Sequence, residues 1–257
     1  MRAIILAAGR GSRLQQTQDG QLPKCLLQFD GATLLQRHLC LLRRAGIDQI
    51  VLALGFRHEL VAGELDRLSW QPRPEIILNE RYELGSVLTV HTTAGAMTRG
   101  GDILLMDADV LYDERILAPL VAGARPVNRL LIDRDFEAGD EPVKVCMRDG
   151  VPIEMRKQIS PGLSYDFMGE SIGFFRLDQK AARRLADLAA AYVESGRAAA
   201  PHEEAVRDLL LERSQVFEVA DVTGAPWIEI DFPDDLTRAS RDVLPRLQPL
   251  PRPGKRT

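Results

Sequence analysis

The chain has 257 residues, 45% of them hydrophobic and 27% charged, which suits one α/β domain with a sizeable buried core. Its formal net charge of -4 argues against a nucleic-acid binder, which is ordinarily basic, and no apolar run approaches the length of a membrane span. Cys25, Cys40 and Cys146 are odd in number and lack metal-ligand spacing. Together with an N-terminal apolar run too short for a signal peptide, they predict reduced thiols in a cytoplasmic protein.

Through the first half, β-rich apolar runs alternate with helical patterns. Ala3–Ala7, Ile50–Leu54, Glu75–Leu78 and Asp102–Met106 read as strands; Thr33–Arg44, His58–Leu68, Ser86–Met97 and Glu114–Ala122 read as helices. Such alternation predicts a mostly parallel central sheet with helices on both faces and ligands at the carboxyl ends of its strands. The second half is less regular. Strands are expected over Asn128–Asp133, Val143–Met147, Val151–Met155 and Ser171–Arg176, with Val216–Val219 and Trp227–Ile230 closing the sheet. Arg148-Asp149-Gly150 is a hairpin signal. A long amphipathic helix runs from Leu177 to Ser195 and ends at Gly196, and a second runs from His202 to Arg213. The pattern reads as a single domain over residues 1–243, with halves 1–125 and 126–243, followed by a loose tail rich in proline and basic residues at 244–257.

The densest signal lies at the start. The first strand runs into Gly9-Arg10-Gly11-Ser12-Arg13-Leu14, and Pro23-Lys24 follows. Glycines let backbone N–H groups approach phosphate oxygens, and Arg13 and Lys24 can neutralise a polyphosphate. The turn is not the dinucleotide fingerprint, because Leu14 stands where a third glycine is needed, and no Gly-Lys-Ser/Thr of a P-loop follows. An ordinary strand-to-helix turn explains the glycines alone, but not the two cations added to them.

Leu6-Ala-Ala-Gly-Arg-Gly-Ser-Arg-Leu14 followed by Pro23-Lys24 resembles the signature of the nucleotidyltransferase superfamily that activates sugar phosphates, choline phosphate and related acids. It is matched at every fixed position. The resemblance implies a Rossmann-like nucleotidyltransferase fold with a small mixed-β acceptor-binding part. It also implies transfer of a nucleoside monophosphate to a phosphorylated or phosphonylated acceptor with release of pyrophosphate. On it, Leu6, Ala7, Ala8, Gly9, Gly11, Ser12 and Arg13 are nucleotide-binding, and Lys24 and Arg13 are the catalytic cations.

Asp107 and Asp109 end a buried strand and point to one side of an extended segment. They either cap the next helix or hold Mg²⁺, the ion that triphosphate chemistry usually needs. The resemblance favours Asp107 as metal ligand, with Asp109 as a further candidate. Glu229 and Asp231 alternate with apolar residues in Trp227-Ile-Glu-Ile-Asp231. By themselves they read as the wet face of an edge strand. The choline-phosphate and aminoethylphosphonate cytidylyltransferase-like branch closes its sheet with a similar Glu-Ile-Asp step, which implies that Asp231 is the second metal ligand.

Ser86 opens a helix, where a hydroxyl usually caps backbone. In related cytidylyltransferases a serine here lies beside the pyrimidine, so Ser86, Gly85 and Asn79 are carried as base-site candidates. Lys157 resembles the family lysine that meets the acceptor phosphate, with Lys144 secondary. Glu170 lies among apolar residues and needs a cationic or hydrogen-bonding partner if buried. That partner is either structural or a substrate ammonium, in which case Trp227 and Glu229 and aromatics such as Tyr165, Phe167 and Phe174 join the acceptor side, although core packing is the better explanation for most of the aromatics.

The expected activity is therefore Mg²⁺-dependent transfer of CMP from CTP to phosphocholine, phosphoethanolamine or 2-aminoethylphosphonate. No nucleic-acid or membrane partner is expected, and a homodimer is compatible with the sequence. Two alternatives stay open: a sugar-1-phosphate or inositol-1-phosphate nucleotidyltransferase, and a catalytically silent nucleotide-binding regulator.

Overall fold

In the computed structural model, which describes residues 1–14, 21–123 and 128–250, the chain starts at the centre of its sheet. In β1 (Arg2–Ala7), Ala3 and Ile5 face one layer and Ile4 the other, all fully buried, as expected of a strand covered on both sides. A short ribbon, β2 (Gln28–Phe29) and β3 (Ala32–Thr33), leads into α1 (Leu34–Arg44). Thr33 caps this helix by accepting the Gln36 N–H at 3.0 Å. β4 (Gln49–Leu54), α2 (His58–Arg67) and β5 (Glu75–Leu78) extend the sheet in parallel to one side of β1. The chain then crosses back through α3 (Ser86–Thr92) and α4 (Ala94–Met97), so that β6 (Ile103–Asp107) pairs in parallel with the other side of β1. This reversal is the topological switch point at which open α/β sheets bind ligands. The register sets Leu6 beside Asp107 there.

The later elements are β7 (Val110–Tyr112), α5 (Leu117–Val121), β8 (Asn128–Asp133), β9 (Lys144–Arg148), β10 (Val151–Arg156) and β11 (Phe167–Leu177). Then come α6 (Gln179–Glu194), α7 (His202–Glu212), β12 (Phe217–Asp221), β13 (Trp227–Glu229) and α8 (Pro233–Arg238). β11 joins the halves: Phe174–Leu177 pairs antiparallel with β6, Phe167–Glu170 with β9, and β8 lies along it with a register shift. The first half is thus a parallel core, and the second half a mixed extension of the same sheet. α1 and α2 cover one face, through Leu39, Leu42, Val61 and Leu65. α3, α6 and α7 cover the other, through Val87, Leu185, Val206 and Leu209.

Most predicted elements are present within a residue or two, and four expectations change. Ser86–Met97 is two helices, because the Thr92 and Thr93 hydroxyls bond back to the Thr89 and Val90 carbonyls at 2.7 and 2.8 Å and compete with the helix ladder. Glu114–Ala122 is a single 3-10 turn (Glu114–Ile116) followed by the short α5, which contains Pro119. The strand at Ser171–Arg176 is longer, because Gly173 adopts φ +78° at the register shift and lets pairing continue on both sides. Trp227–Ile230 does not close the main sheet. Its residues Trp227–Glu229 pair instead with β7, a strand absent from the sequence reading.

That small sheet belongs to a third cluster, in which Leu14, Leu27 and Phe29 pack on Leu111, Ile228 and Ile230. It ties the N-terminal loop to the segment carrying Asp231. Leu244 and Leu247 also pack there, and the Gln248 N–H donates to Asp113 at 2.8 Å. Residues 244–250 of the expected loose tail therefore lie on the body, while 251–257 fall outside the described residues.

Candidate active site

At the C-terminal end of β1 the backbone turns through Gly9 and Gly11 into a 3-10 turn, Ser12–Leu14. Gly11 has φ +62°, and a Cβ there would stand 3.1 Å from the Lys24 side chain, so only glycine combines this turn with this neighbour. Pro23 precedes a second 3-10 turn, Lys24–Leu26, whose Cys25 and Leu26 are buried and anchor it. Lys24 is thereby held under the glycine loop with its ammonium directed at two remote acids. Nζ lies 2.8 Å from Asp109 and 2.5 Å from Asp231. Burial disfavours the charge, but the two carboxylates outweigh it and raise the lysine above its ordinary pKa. Arg13 takes the other oxygen of Asp231 at 2.8 Å and reaches Glu141 at 3.2 Å. Burial would raise the Asp231 carboxyl, yet Lys24 and Arg13 beside it hold it below the usual range.

Asp109, Glu229 and Asp231 present carboxylate oxygens within 4.8 Å of one another. Burial raises Glu229 well above the ordinary carboxylate value, and the neighbouring acids Asp109, Asp231 and Asp107 add to that. Three hard oxygen donors with surplus negative charge fit a divalent cation such as Mg²⁺. Of the two expected ligands, Asp231 is in this cluster. Asp107 is set back from it: the carboxylate lies over Gly173, where a Cβ would come within 2.3 Å of Oδ2, and 3.5 Å from His202 Nε2. Burial pushes Asp107 up to about 7, with Asp109 and Glu203 adding to the rise and His202 opposing it.

Two cavities meet here. The smaller, about 200 Å³, is lined by Leu6, Ala7, Ala8, Gly9, Gly11, Lys24, Ser86, Asp107 and Asp109, among others. Of the expected nucleotide-site residues of the loop, Leu6, Ala7, Ala8, Gly9 and Gly11 thus share one space with Ser86, while Ser12 and Arg13 are not among the lining residues. Gly85 lies against the backbone of Ala199, with no room for a Cβ. Asn79 sits behind the cavity, buried, donating to Thr89 at 2.9 Å and accepting from the Arg81 N–H at 3.0 Å. The larger cavity, about 570 Å³, is walled by acids that include Asp133, Glu141, Glu170, Glu229 and Asp231, with Trp227, Phe136 and Phe232. Arg238 is the one cation among its described lining residues. Glu229 lines both cavities.

The other acceptor-side candidates fall as follows. Lys157 pairs with Glu141 at 3.0 Å, next to Arg13. The Lys144 ammonium donates to the carbonyls of Gly139, Pro142 and Lys157, so it ties the 139–142 loop to the end of β10. Burial and the like charge of Asp133 push Glu170 up to about 7. Asp133 accepts from Trp227 Nε1 at 2.8 Å, which orients the indole on the cavity wall. Phe174 is core, packed edge-on to Tyr112, and Phe167 carries the Arg134 guanidinium 4.4 Å from its ring centre.

Sequence reading passed over several residues. His202 and Glu203 line the smaller cavity but read in sequence only as the start of a helix. His38 is fully buried behind the acidic turn, with Nε2 3.2 Å from the Ala108 carbonyl and Nδ1 3.2 Å from the Tyr112 hydroxyl. Burial lowers it to about 4, so it is a neutral brace for the backbone between Asp107 and Asp109. Nothing local in the sequence marks it, because its partners are 70 and 74 residues away.

The chain matches the MobA-like NTP transferase domain over residues 3–158, more than half of its length. It is 25% identical over 245 residues to a bifunctional IPC transferase and DIPP synthase of Aquifex aeolicus, covering 94% of this chain and 51% of that protein. It thus spans about half the length of that relative. It is 24% identical over 265 residues to a CTP:phosphoglutamine cytidylyltransferase of Campylobacter jejuni, covering 92% of this chain and 98% of that one. Among solved structures, the inositol-1-phosphate CTP transferase from T. maritima superposes with a TM-score of 0.73 at 21% identity, covering 95% of each chain. The chain therefore belongs to the MobA-like NTP transferase domain family, and the matched span includes the glycine loop, Lys24 and Asp109.

Proposed function

We propose that this enzyme transfers CMP from CTP to a small phosphate or phosphonate acceptor and releases pyrophosphate. The observation that carries the reading is the position of Lys24. Its ammonium lies under the glycine loop, against Asp109 and Asp231, where the two cavities meet. In this reading the smaller cavity takes the nucleotide, with its base toward Ser86 and its phosphates on the glycine loop. The larger cavity takes the acceptor.

Asp109, Asp231 and Glu229 would hold a divalent cation, which supplies charge neutralisation at phosphate oxygens when bound. Asp107, expected as a metal ligand, becomes part of the nucleotide cavity wall. An acceptor oxygen attacks the α-phosphorus, the bond to the pyrophosphate oxygen breaks, and pyrophosphate leaves with that electron pair. No strong general base is needed, because a phosphate monoester with a second pKa of about 6 is already an anion near neutral pH. Lys24 neutralises charge growing on the α-phosphate, Arg13 holds the departing pyrophosphate, and Lys157 orients the attacker.

The acidic, aromatic wall around Glu170 and Trp227 supports an acceptor carrying an amine, such as phosphocholine, phosphoethanolamine or 2-aminoethylphosphonate. Similarity to an inositol-1-phosphate CTP transferase favours a second reading, with a polyol phosphate as acceptor. Pyrophosphate release, measured for each common NTP against both kinds of acceptor, tests them. CTP-dependent release with an amine-bearing acceptor is the expected outcome. Release only with inositol-1-phosphate or a sugar phosphate moves the enzyme to the second reading. Cytoplasmic location, consistent with three buried free cysteines, belongs to the same proposal.

A further inference from the structure

His202 opens α7 and is 4% exposed. It lines the nucleotide cavity and makes two contacts there with one atom, the Ser86 hydroxyl oxygen. Its backbone N–H donates to Ser86 Oγ at 2.8 Å, and its ring Nδ1 lies 3.2 Å from the same oxygen. Nδ1 is also 3.1 Å from a Glu203 carboxylate oxygen. A bare nitrogen lone pair facing that carboxylate would be repelled, so Nδ1 carries a hydrogen; the Glu203 oxygen takes no hydrogen bond, and that one hydrogen is directed to Ser86. A hydroxyl has two acceptor lone pairs and one hydrogen to give. On Ser86 both lone pairs are directed at His202. Its hydrogen must then point elsewhere, and Ser86 lines the cavity shared with the glycine loop and Lys24.

We propose that His202 is a specificity-determining positioning residue: by occupying both lone pairs of Ser86, it makes that hydroxyl a donor only, so the cavity selects a nucleobase that presents an acceptor to it. This rests on the reading above that the base lies against the start of α3. With ring N3 set against Ser86, cytosine offers an acceptor where uracil and thymine carry N–H; with ring position 4 there, the preference would reverse. A hydroxyl with a free lone pair serves either base; one restricted to donating meets uracil N–H with a second donor. The site then leaves a buried polar group unpaired, which is the usual source of strong discrimination between close analogues.

The test measures Kd for CTP and UTP in the presence of Mg²⁺ and without acceptor, by calorimetry, on the full chain. Wild type should prefer CTP. Replacing the ring by His202→Phe keeps the backbone N–H and removes the Nδ1 donor, so the CTP/UTP preference should fall by about tenfold or more. His202→Asn places an amide N–H near the Nδ1 position and should restore most of it. Ser86→Ala should lose the preference as well, and Ser86→Ala combined with His202→Phe should lose no more than either alone. Melting temperatures identify variants that fail to fold, and the asparagine variant keeps the test decisive if the phenylalanine variant does. The inference is overturned if wild type binds the two nucleotides equally, if Ser86→Ala keeps the full preference, or if His202→Phe weakens both nucleotides by the same factor. Failure of the transferase reading looks different: nucleotide preference would persist while no acceptor gave pyrophosphate.

Discussion

The smaller cavity takes much of its wall from neighbouring residues of one turn, Leu6, Ala7, Ala8, Gly9 and Gly11, whereas the larger is walled by carboxylates from well-separated stretches of chain, 133–142, Glu170 and 227–238. In our reading the first binds a polyanion on a tight turn that has one lysine packed beneath it. The second concentrates negative charge and attracts whatever neutralises it. Between them, Lys24, Asp109 and Asp231 balance charge at a distance where each group needs the others. A polyanion site and an acidic site can therefore be neighbours only because a cation, and in our reading a bound metal, separates them.

The largest expected effect comes from removing that separator. Lys24→Ala should lower kcat by about a hundredfold or more, in line with the loss of one transition-state donor, and steady-state pyrophosphate release measures it. Near-normal turnover would dissolve the division of labour between the cavities. A finer test compares neighbouring acids. Asp109→Asn should weaken Mn²⁺ binding, followed by electron paramagnetic resonance, by about tenfold or more, the scale on which lost metal-site partners usually act. Asp107→Asn should affect it less, because Asp107 faces Gly173 and His202. The reverse order would return Asp107 to the metal.

The smallest effect concerns Glu170 in the acidic cavity. Its pKa is about 7 in the folded protein, raised by burial and Asp133 from an ordinary 4.5. A carboxyl that is harder to ionise when folded costs stability as pH climbs. The penalty is absent below the unfolded value, grows between pH 4.5 and about 7, and is complete above that window. Glu170→Gln should therefore melt higher than wild type at pH 8 and at the same temperature at pH 4 or below. With an amine-bearing acceptor, wild-type KM should fall as pH rises through 7 because the carboxylate forms, and the glutamine variant should keep only the change due to the acceptor phosphate at about pH 6. A KM profile unchanged by the substitution would remove Glu170 from the acceptor site.

Much of this was readable in one dimension. Gly9, Gly11, Arg13 and Lys24 lie within sixteen residues, and turn chemistry and charge mark them as a candidate phosphate site from local sequence alone. The parallel core was legible for the same local reason: strands buried on both faces are continuous apolar runs between amphipathic helices. What the tertiary structure decided is everything that depends on distant segments meeting. β13 leaves the main sheet for β7, and the cluster of Leu14, Phe29, Leu111 and Ile230 carries Asp231 across 207 residues to Lys24. The distinction between Asp107 and Asp109 turns on where Gly173 and His202 pack. His202, His38 and Asp133 carry no local sign because burial and a partner far along the chain define their chemistry. Hydrogen bonding within a turn and periodic burial are short-range and leave a pattern in sequence; electrostatics and packing between segments are set by distance in space, which only the folded chain fixes.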